Sequence, residues 1–545
     1  MLVRTFVVLV CAAAVSSAQP FVAANGMVNA ASSVEAGLPN GDVAQGSMFS
    51  IYGSNMGPAT AVTATSWPLP TTQGLGGVTV QVQDSAGVSR NAVLLFVYSG
   101  QINADLPSAT ATGQASLTVT YNGQTSVPQT FNVVESSVGL LARNQQGSGP
   151  GIVQQYHGGN PSYNDISNSA IPGDVAVLWG TGLGPISGND AVQPTQVNLG
   201  TPAEVFVGGQ QVPPGNVQYE GRSSFAGEDQ INFVVPNIPG CYVPVFVKIG
   251  NIVSNTVSMS IGAGGGMCTD DLSYPGLTSA QIQANGLKRG VIALTRTTVK
   301  IPGIGDTVTD TATGVFDSYT WSQLAESRGG LGVSVYGACT VFTFSGSDTS
   351  TLNVDPVAPT YLDAGTLSLA GPAGQTPIPA TAKGSYSAKL GTNTTALYFS
   401  PGAYTVTGAG GADVGPFTST LTVPAPFTWT NMDALTSVTR ANGVIVNWTG
   451  GTGHVVIAGL SGITSPQKAG AFFRCLAQAS AQTFTVPAAV LLALPVSGTM
   501  SGIPLGELTL WDTPVSGEFN PNPPTGLDAG DFSASFTIMK FLSYN

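Results

Sequence analysis

A duplication in the first half of the chain constrains the fold more than any other feature. The block at 46–58 returns in altered form at 173–185, an offset of 127 residues (173 − 46). Three matched pairs occur in the same order: GSMFSIYGSNMGP at 46–58 with GDVAVLWGTGLGP at 173–185, QINADLP at 101–107 with QINFVVP at 230–236, and VTYNG at 119–123 with VKIGN at 247–251. A repeat this long is a whole domain, because solenoid units span only about 20–50 residues.

Both copies have the residue pattern of short β-strands. Apolar and polar residues alternate at 78–82 and at 117–121, and the second run ends in an Asn-Gly turn. Only 8% of the residues are charged, while Gly numbers 70 and Pro 37, and this composition is typical of short strands joined by many turns. The sequence therefore predicts an all-β protein with tandem immunoglobulin-like β-sandwich domains.

The offset also predicts which residues are equivalent in the two copies. Tyr52 and Trp179 stand at matching positions of the repeated block, each followed by a glycine, Gly53 or Gly180. We expect the copies to superpose with the two aromatic residues on equivalent strands and the two glycines in the following turn.

The first copy resembles the repeated C-terminal module of secreted acidobacterial proteins of the Solibacter type, a family of uncharacterised function. The resemblance lies in NAAS at 29–32, the strand-turn at 46–57 and QINADLP at 101–107, and it covers residues 25–262. The strand-turn is also similar to the IPT/TIG immunoglobulin-like fold. The second copy departs from the pattern at 177–182, where VLWGTG stands in place of SIYGSN. The resemblance implies sandwich modules and supplies no catalytic residue.

Composition breaks divide the chain into six predicted segments. The glycine run at 262–266 is typical of a flexible linker, and PAP at 424–426 marks a later break. The predicted segments are a signal peptide at 1–18, Ig-like module 1 at 19–136, Ig-like module 2 at 137–262, a linker at 263–290, a β-sandwich domain at 291–423 and a β-rich C-terminal domain at 424–545. Two apolar runs in the last segment, 469–476 and 486–494, are candidates for short helical turns.

The amino terminus predicts export. Arg4 precedes an apolar run at 6–15, and the small residues at 16–18 form a cleavage site. Cys11 follows Val10, which is too large for the small residue that a lipid-attachment site needs, so we favour release over lipid anchoring. The sequence therefore predicts a protein that is secreted, either free outside the cell or at its surface.

Charge and hydropathy exclude two classes of partner. A net charge of −12 offers no basic face that could neutralise phosphates, so nucleic acid is not expected. The longest late apolar stretch, 486–496, is too short to cross a bilayer, which needs about 20 residues.

Four cysteines remain after Cys11 leaves with the signal peptide. Four cysteines allow three pairings, of which we favour Cys241–Cys268 and Cys339–Cys475. They form no CxxC pair, and the chain has only two histidines. Neither a zinc site nor any other metal centre is therefore predicted.

No catalytic group stands out, and we predict a protein that is not an enzyme and needs no cofactor. We expect His157 and His454 to be exposed residues of Gly-rich turns, and the chain has no GxSxG elbow. The alternative is a secreted carbohydrate-active hydrolase that uses two loop carboxylates. Its candidates are Glu220, Glu228, Asp229, Glu507, Asp512 and Glu518.

The C-terminal end offers the candidate ligand-binding residues. An exposed aromatic ring beside acidic loops is typical of sites that hold sugars, and clustered carboxylates could also hold Ca²⁺, although no calcium motif is present. The candidates are Trp511, Asp512, Glu518, Asp528 and Asp531. We assign Trp448 to the core, because it continues an apolar alternation with Val444 and Val446. The expected partner is an extracellular polysaccharide or a protein.

Overall fold

A computed structural model describes residues 18–199, 202–268, 277–325, 335–345, 358–463, 469–513, 517–519 and 526–545. The predicted signal peptide lies outside the described residues except for its last residue. Strands make up 53% of the chain and helices 6%. The predicted all-β class is therefore confirmed.

Module 1 is a sandwich of two sheets. Its strands are β1 (Phe21–Asn29), β2 (Val43–Ala44), β3 (Met48–Ser54), β4 (Val62–Thr63), β5 (Val78–Gln83), β6 (Ser89–Asn91), β7 (Val93–Val97), β8 (Gln101–Asp105), β9 (Gly113–Tyr121), β10 (Gln124–Thr125) and β11 (Gln129–Val134). One sheet has the order β1-β3-β8-β7-β4 and the other β2-β11-β9-β5-β6. Strand β2 runs parallel to β11, and the two inner faces share one apolar core. This order is that of an immunoglobulin-like sandwich.

Module 2 repeats the arrangement. Its strands are β12 (Gly139–Leu140), β13 (Gly149–Pro150), β14 (Val153–His157), β15 (Asn160–Tyr163), β16 (Val175–Thr181), β17 (Val197–Asn198), β18 (Glu204–Val207), β19 (Gln210–Gln211), β20 (Val217–Arg222), β21 (Asp229–Val234), β22 (Gly240–Ile249), β23 (Ile252–Val253) and β24 (Val257–Ile261). The sheets have the orders β15-β14-β16-β21-β20-β17 and β13-β24-β22-β18-β19. Here β13 runs parallel to β24, as β2 does to β11.

Tyr52 and Trp179 occupy equivalent positions, as predicted, because Tyr52 pairs with Gln101 and Trp179 with Gln230. The glycines differ from expectation, since Gly53 and Gly180 still lie inside strands β3 and β16. A Cβ at Gly53 would collide with the Phe21 carbonyl oxygen, and one at Gly180 with that of Gly139. Both glycines therefore allow a neighbouring strand to approach closely, which is their role in place of a turn.

The carboxyl-terminal part is also built from strands. They are β25 (Leu287–Ile301), β26 (Gly305–Tyr319), β27 (Cys339–Ser345), β28 (Thr360–Tyr361), β29 (Leu367–Gly371), β30 (Gly374–Ile378), β31 (Ala380–Ala382), β32 (Ser385–Thr392), β33 (Gly402–Gly408), β34 (Phe417–Val423), β35 (Thr428–Trp429), β36 (Ser437–Val438), β37 (Val444–Thr449), β38 (His454–Gly462), β39 (Ala469–Gln478), β40 (Thr483–Val486), β41 (Thr499–Met500), β42 (Ile503–Pro504), β43 (Gly506–Thr513), β44 (Gly517–Glu518) and β45 (Ala529–Tyr544). The helices are α1 (Ser279–Asn285), α2 (Trp321–Ala325) and α3 (Ala488–Leu492), and single 3₁₀ turns lie at Pro214–Asn216, Met432–Ala434, Arg440–Asn442 and Ala479–Ala481.

One large sheet joins strands from both predicted C-terminal units, 291–423 and 424–545. Its main order is β27-β39-β38-β43-β45-β25-β26-β32-β31. Strand β25 runs parallel to β45 and antiparallel to β26, so the sheet crosses the boundary predicted after residue 423. We therefore describe 287–544 as one C-terminal region, and the predicted domain limits elsewhere stay predictions.

The large sheet buries one face against two smaller sheets, β30-β29-β33-β34 and β35-β37-β40. Phe316, Phe532 and Phe536 of the large sheet are at most 3% exposed, and Trp448 of β37 is 1% exposed. Trp448 therefore belongs to the core, as predicted. The apolar run at 469–476 lies in strand β39 and was wrongly assigned to a helical turn, whereas 486–494 contains α3. Short apolar runs do not distinguish a buried strand from a helix.

Both predicted cysteine pairs are disulfides. Cys241 is bonded to Cys268 with a Cα–Cα distance of 5.5 Å, and Cys339 is bonded to Cys475 with 4.0 Å. The first bond ties the start of the predicted linker to module 2, and Gly266 adds a backbone bridge to Ser169. The glycine run is thus held against module 2 at its far end.

The contact between modules 1 and 2 contains a buried ion pair. Arg222 has no exposed side-chain surface, and its Nε donates to Asp229 Oδ1 at 2.7 Å. Its Nη2 donates to the carbonyl oxygens of Gly46 in module 1 at 2.6 Å and Gly184 in module 2 at 3.1 Å. Asp105 of module 1 is buried beside this group, where desolvation and then the charge of Asp190 hold its pKa well above the usual range. The arginine therefore pairs with Asp229 of module 2 and bonds to the backbone of module 1, close to the buried carboxyl of Asp105.

Replacing Arg222 by Met should destabilise the amino-terminal half strongly. The change would leave the buried carboxyl of Asp229 without its counter-charge, which typically costs about 3–5 kcal/mol. Arg143→Met is the matched control, because the Arg143–Asp165 pair is 3.5 Å long and both side chains are about a third exposed. We expect the control to lose less than about 1 kcal/mol. Urea denaturation of the whole chain measures both, and equal losses would contradict a central role for Arg222.

Candidate functional site

Strand alternation gives module 2 an outward face with unusual side chains. On β16, Ala176 and Leu178 are buried in the core, so Val175, Val177 and Trp179 project from the opposite side. Residues directly opposite on neighbouring antiparallel strands share a face. Tyr156 opposes Val175, Asn232 opposes Val177 and Gln230 opposes Trp179. Aromatic and amide side chains are therefore grouped on one side of this sheet.

These residues line an open groove of about 400 Å³. Its lining consists of Tyr156, Val175, Val177, Trp179, Gln196, Gln230 and Asn232. Val177 and Gln230 are buried and form the floor, Tyr156 and Trp179 are half-buried, and Gln196 is exposed. None of the lining side chains carries a charge at neutral pH.

Hydrogen bonds between amides fix the groove side chains. Gln196 Nε2 donates to Gln230 Oε1 at 3.4 Å, and Gln230 Nε2 donates to Asn232 Oδ1 at 3.2 Å. Tyr156 Oη donates at 3.2 Å to Gln154 Oε1, which lies two residues earlier on the same strand, β14. Each amide has two donor hydrogens and two acceptor lone pairs, so this row of hydrogen-bonded amides leaves further donors and acceptors for a ligand. The groove thus combines aromatic rings with oriented, neutral hydrogen-bonding groups.

Module 1 carries the same arrangement. Tyr52 opposes Gln101 as Trp179 opposes Gln230, and the side-chain bond from Gln101 Nε2 to Asn103 Oδ1 is 2.8 Å long. A second aromatic residue follows in each copy: Phe96 opposes Asn103, and Tyr219 opposes Asn232. The duplicated Gln-Ile-Asn segment therefore places its two amides between two aromatic residues in both modules.

The two faces differ at one floor position. Ser50 opposes Asn103 in module 1, and its hydroxyl donates to Asn103 Oδ1 at 3.0 Å. Val177 takes this position in module 2 and makes this part of the floor apolar. Tyr52 is 40% exposed, while the larger Trp179 is half-buried at the side of the groove. Module 2 therefore has the more enclosed face.

Sequence reasoning placed the ligand site elsewhere, and the structure separates the predicted residues. Trp511 and Asp512 are consecutive residues of β43, so their side chains point to opposite faces of the large sheet. Trp511 is half-buried, although it was expected to be exposed, and Asp512 is fully buried. Asp512 Oδ1 accepts from the Phe536 N–H at 2.8 Å, and its Oδ2 has no partner among the described residues. Asp512 is thus part of the core side of the sheet, which corrects its assignment to a loop.

The other three acidic candidates lie near the start of β45. Glu518 of β44 opposes Asp531 of β45 in the strand register. Asp528 precedes β45, and its Oδ2 accepts from the Lys288 N–H at 2.7 Å. Two of the five candidates, Glu518 and Asp531, are thus brought opposite each other. Binding by any of the five stays a prediction.

Titratable groups do not form a metal centre in the part of the chain that the structure describes. No group of three or more His, Cys, Asp or Glu side chains there is placed to hold an ion. His157 lies on β14 and its Nδ1 is 2.8 Å from Asp174 Oδ2. His454 begins β38, where burial and then the charge of Arg474 lower its pKa. Both histidines lie in strands, which differs from the turns expected for them.

Sequence reasoning missed the module 2 groove, although a signal for it was present. Gln230 and Asn232 were treated only as part of a strand motif, and Trp179 only as a repeat marker. In a strand, residues two apart share a face. A Gln-x-Asn pair beside an aromatic strand position therefore predicts grouped amides once the pairing register is known. The register itself depends on contacts between distant parts of the chain, which the local pattern does not give.

No family model and no curated protein sequence matches this chain. Among solved structures it is similar to a tetra-tandem repeat in the extending region of a large adhesion protein, at 11% identity over 96% of this chain and 100% of that chain, with a TM-score of 0.14. It is also similar to SGBP-B from a complex xyloglucan utilization locus of Bacteroides uniformis, at 10% identity over 68% and 85%, with a TM-score of 0.16. Domains 5–6 of the S-layer protein SbsC match at 13% identity over 44% and 98%, with a TM-score of 0.16. Scores this low establish neither a shared arrangement nor a shared function.

The fold defines the structural class of the protein. The chain has an all-β fold with two immunoglobulin-like sandwiches and two disulfides. No helix in the described ranges is long and apolar enough to span a membrane.

Asp512 gives a pH-dependent prediction. Burial raises its pKa to about 6, above the value of about 3.9 expected in the unfolded chain. The folded state therefore binds the proton more tightly, and this contribution to stability, full below about pH 4, is lost as the pH rises through 6. Asp512→Asn keeps an oxygen for the Phe536 N–H and should raise stability by roughly 2–3 kcal/mol at pH 7.5, but by only about 1 kcal/mol at pH 4.5.

Urea denaturation at both pH values measures this difference. Asp306→Asn is the control for removal of one negative charge, because the Asp306 side chain is 53% exposed. Equal stability of the Asp512→Asn variant and the parent at pH 7.5 would contradict an ionised, buried carboxylate.

Proposed function

We propose that this chain is an exported, non-enzymatic binding protein whose module 2 groove holds a neutral polysaccharide. The observation that carries the proposal is the grouping of Tyr156 and Trp179 with three side-chain amides in one uncharged groove. A sugar ring has an apolar face of C–H groups and a rim of hydroxyls. Aromatic rings attract the C–H face through their negative π-cloud, and amides donate to and accept from the hydroxyls.

The absence of charge in the groove selects among ligands. Its seven lining residues would leave an anionic or cationic ligand without a counter-charge after desolvation, which is costly. A neutral ligand loses no such interaction. Because the groove is an open channel on a sheet face and not a closed cavity, a chain-like ligand can pass through it. A neutral polysaccharide fits each of these properties.

The same groove supports a role without catalysis. Its lining contains no carboxyl, imidazole or thiol group that could act as a general acid, base or nucleophile. The outward face of module 1, which carries Tyr52, Gln101 and Asn103, supplies a second contact surface of the same chemistry. Export is supported by the two disulfides, which persist in oxidising compartments. The resemblance of the modules to the Solibacter-type family stays a prediction.

Trp179→Ala should weaken polysaccharide binding by about tenfold or more, because truncating a central aromatic residue of an interface typically costs about 2 kcal/mol. Affinity electrophoresis in gels with cellulose derivatives, β-glucan, xylan or mannan measures the retardation of parent and variant. Gln230→Ala should weaken binding as well, since it removes both its own amide and the support of Asn232. Unchanged thermal unfolding of each variant shows that the fold is kept.

Tyr361→Ala is the matched control, because Tyr361 is 42% exposed on the C-terminal region, away from the groove. It should bind like the parent. Retardation of the parent by none of these polysaccharides, or equal retardation of the Trp179 and Tyr361 variants, would contradict the proposed function.

A further inference from the structure

A cationic side chain lies on the outer face of the large C-terminal sheet. Arg474 of β39 opposes Ala458 of β38, which in turn opposes Thr509 of β43. The small side chain of Ala458 lets the long arginine extend across β38. Its Cζ lies 6.0 Å from the ring centre of Trp511, two residues beyond Thr509 on the same face. The guanidinium is therefore held over the aromatic ring by a cation–π contact.

Arg474 differs from the other arginines that the structure describes. Each of the others bonds to a carboxylate or a backbone carbonyl, as follows: Arg90 to Asp84, Arg143 to Asp165, Arg222 to Asp229, Arg289 to Asp317, Arg296 to Asp310 and Arg440 to the Leu494 carbonyl. Among the described residues, Arg474 has neither a hydrogen bond nor an ion pair, although it is only partly exposed. Burial lowers its pKa, so its charge is poorly solvated. A poorly solvated guanidinium has five donors and is normally paired with an anion, and the described residues supply none to Arg474.

Among the described residues, no neighbouring carboxylate forms an ion pair with Arg474. Glu507 lies on the same sheet face, two residues before Thr509, but burial alone raises its pKa and no cation lowers it. The hydroxyl of Thr509 is buried and has no hydrogen-bond partner within the described ranges. Of Arg474 and Thr509, only Arg474 is partly exposed and can be reached by a ligand. The geometry is that of a site for an incoming anion.

Aromatic side chains border the cation. His454 lies on the same strand as Ala458, and its pKa is lowered by burial and by the charge of Arg474. Tyr336 is 37% exposed and packs edge-on against His454 with ring centres 6.5 Å apart. Its exposed ring is available to an apolar ring face. Arg474 and Tyr336 thus both neighbour His454, and a guanidinium fork with an exposed aromatic ring on the far side of His454 matches a ligand that carries a carboxylate on a ring.

We propose that Arg474 binds the carboxylate of a uronic acid residue in an acidic polysaccharide, with Tyr336 against the sugar ring. Arginine presents two parallel N–H groups that match the two oxygens of a carboxylate, whereas a neutral sugar offers no such pair. Trp511 holds the plane of the guanidinium and so positions it. An acidic peptide offers the same carboxylate but lacks the ring that Tyr336 would contact. The site is separate from the module 2 groove and does not rest on its proposed function.

The net negative charge of the chain does not prevent an anionic polysaccharide from binding at Arg474. At about 0.15 M salt the Debye length is about 8 Å, so distant carboxylates of a chain with net charge −12 are largely screened. Contacts at the sheet face then decide the affinity.

The test is calorimetric titration of the full chain at about 0.15 M salt with three probes: trigalacturonate, its neutral methyl ester and triglutamate. We expect trigalacturonate to bind and the other two to bind at least about tenfold more weakly. Arg474→Gln should weaken trigalacturonate binding by about tenfold or more, and Arg474→Lys by less, because lysine keeps the charge without the fork. Lys389→Gln, which removes one charge from an exposed position on β32, is the control and should bind like the parent.

The outcomes separate this site from the groove. Trp179→Ala should leave trigalacturonate binding unchanged, whether or not the module 2 groove binds neutral polysaccharides. Binding that survives Arg474→Gln, or no binding of trigalacturonate by the parent, would overturn the proposal. Equal binding of triglutamate would overturn the assignment to a sugar. An equal loss of trigalacturonate binding in Arg474→Gln and Lys389→Gln would show that only the net charge matters, and it would also overturn the proposal. The two Arg474 variants are compared only if their thermal unfolding matches that of the parent, and Arg474→Lys provides the reading if Arg474→Gln is unstable.

Discussion

A buried guanidinium between modules 1 and 2 constrains the whole amino-terminal half. Arg222 has no exposed surface, and it bonds to a backbone carbonyl in each module as well as to Asp229. An ion buried this deeply is tolerated only while its partners stay in place, so rotation of one module against the other is costly. Asp105 adds to this constraint, because its carboxyl is buried beside the same arginine. Turning one sandwich against the other would therefore break the bonds of Arg222 to both modules.

Both copies have kept the outward face along with the core. The inner residues of β3 and β16 are apolar, as any sandwich requires, but the fold itself does not require amides at the outer positions. Gln101 and Asn103 in module 1 and Gln230 and Asn232 in module 2 nevertheless stand in the same register and make the same side-chain bond. The change from Ser50 to Val177 then makes the second face more apolar at its floor. The outward faces of the two modules thus share their amide and aromatic side chains and differ at the floor. This fits binding in both modules, with the ligand more tightly enclosed in module 2.

Local patterns predicted what depends on neighbouring residues, and missed what depends on distant pairing. The repeat offset predicted two equivalent sandwiches, and alternation placed Trp448 in the core. Pairing of β25 with β45 joins residues more than two hundred positions apart, and no local signal marks such a contact. The error at Trp511 and Asp512 has a different cause. Leu508 and Leu510 are buried and alternate along the sequence with Thr509 and Trp511, so the pattern of a strand was present, but Asp512, which continues it, was assigned to an acidic loop.

That corrected strand also explains how one sheet supports two kinds of surface. Even-numbered residues of β43 point into the core, and Asp512 follows Leu508 and Leu510 there as a buried carboxyl. Odd-numbered residues point outward and place Trp511 beneath Arg474. A charge on the core side costs stability, because it has no counter-ion, whereas a charge on the outer side can be balanced by a ligand. Arg474 has no ion pair among the described residues and is partly exposed on the outer face, and this is why we assign it to binding and Asp512 to the core.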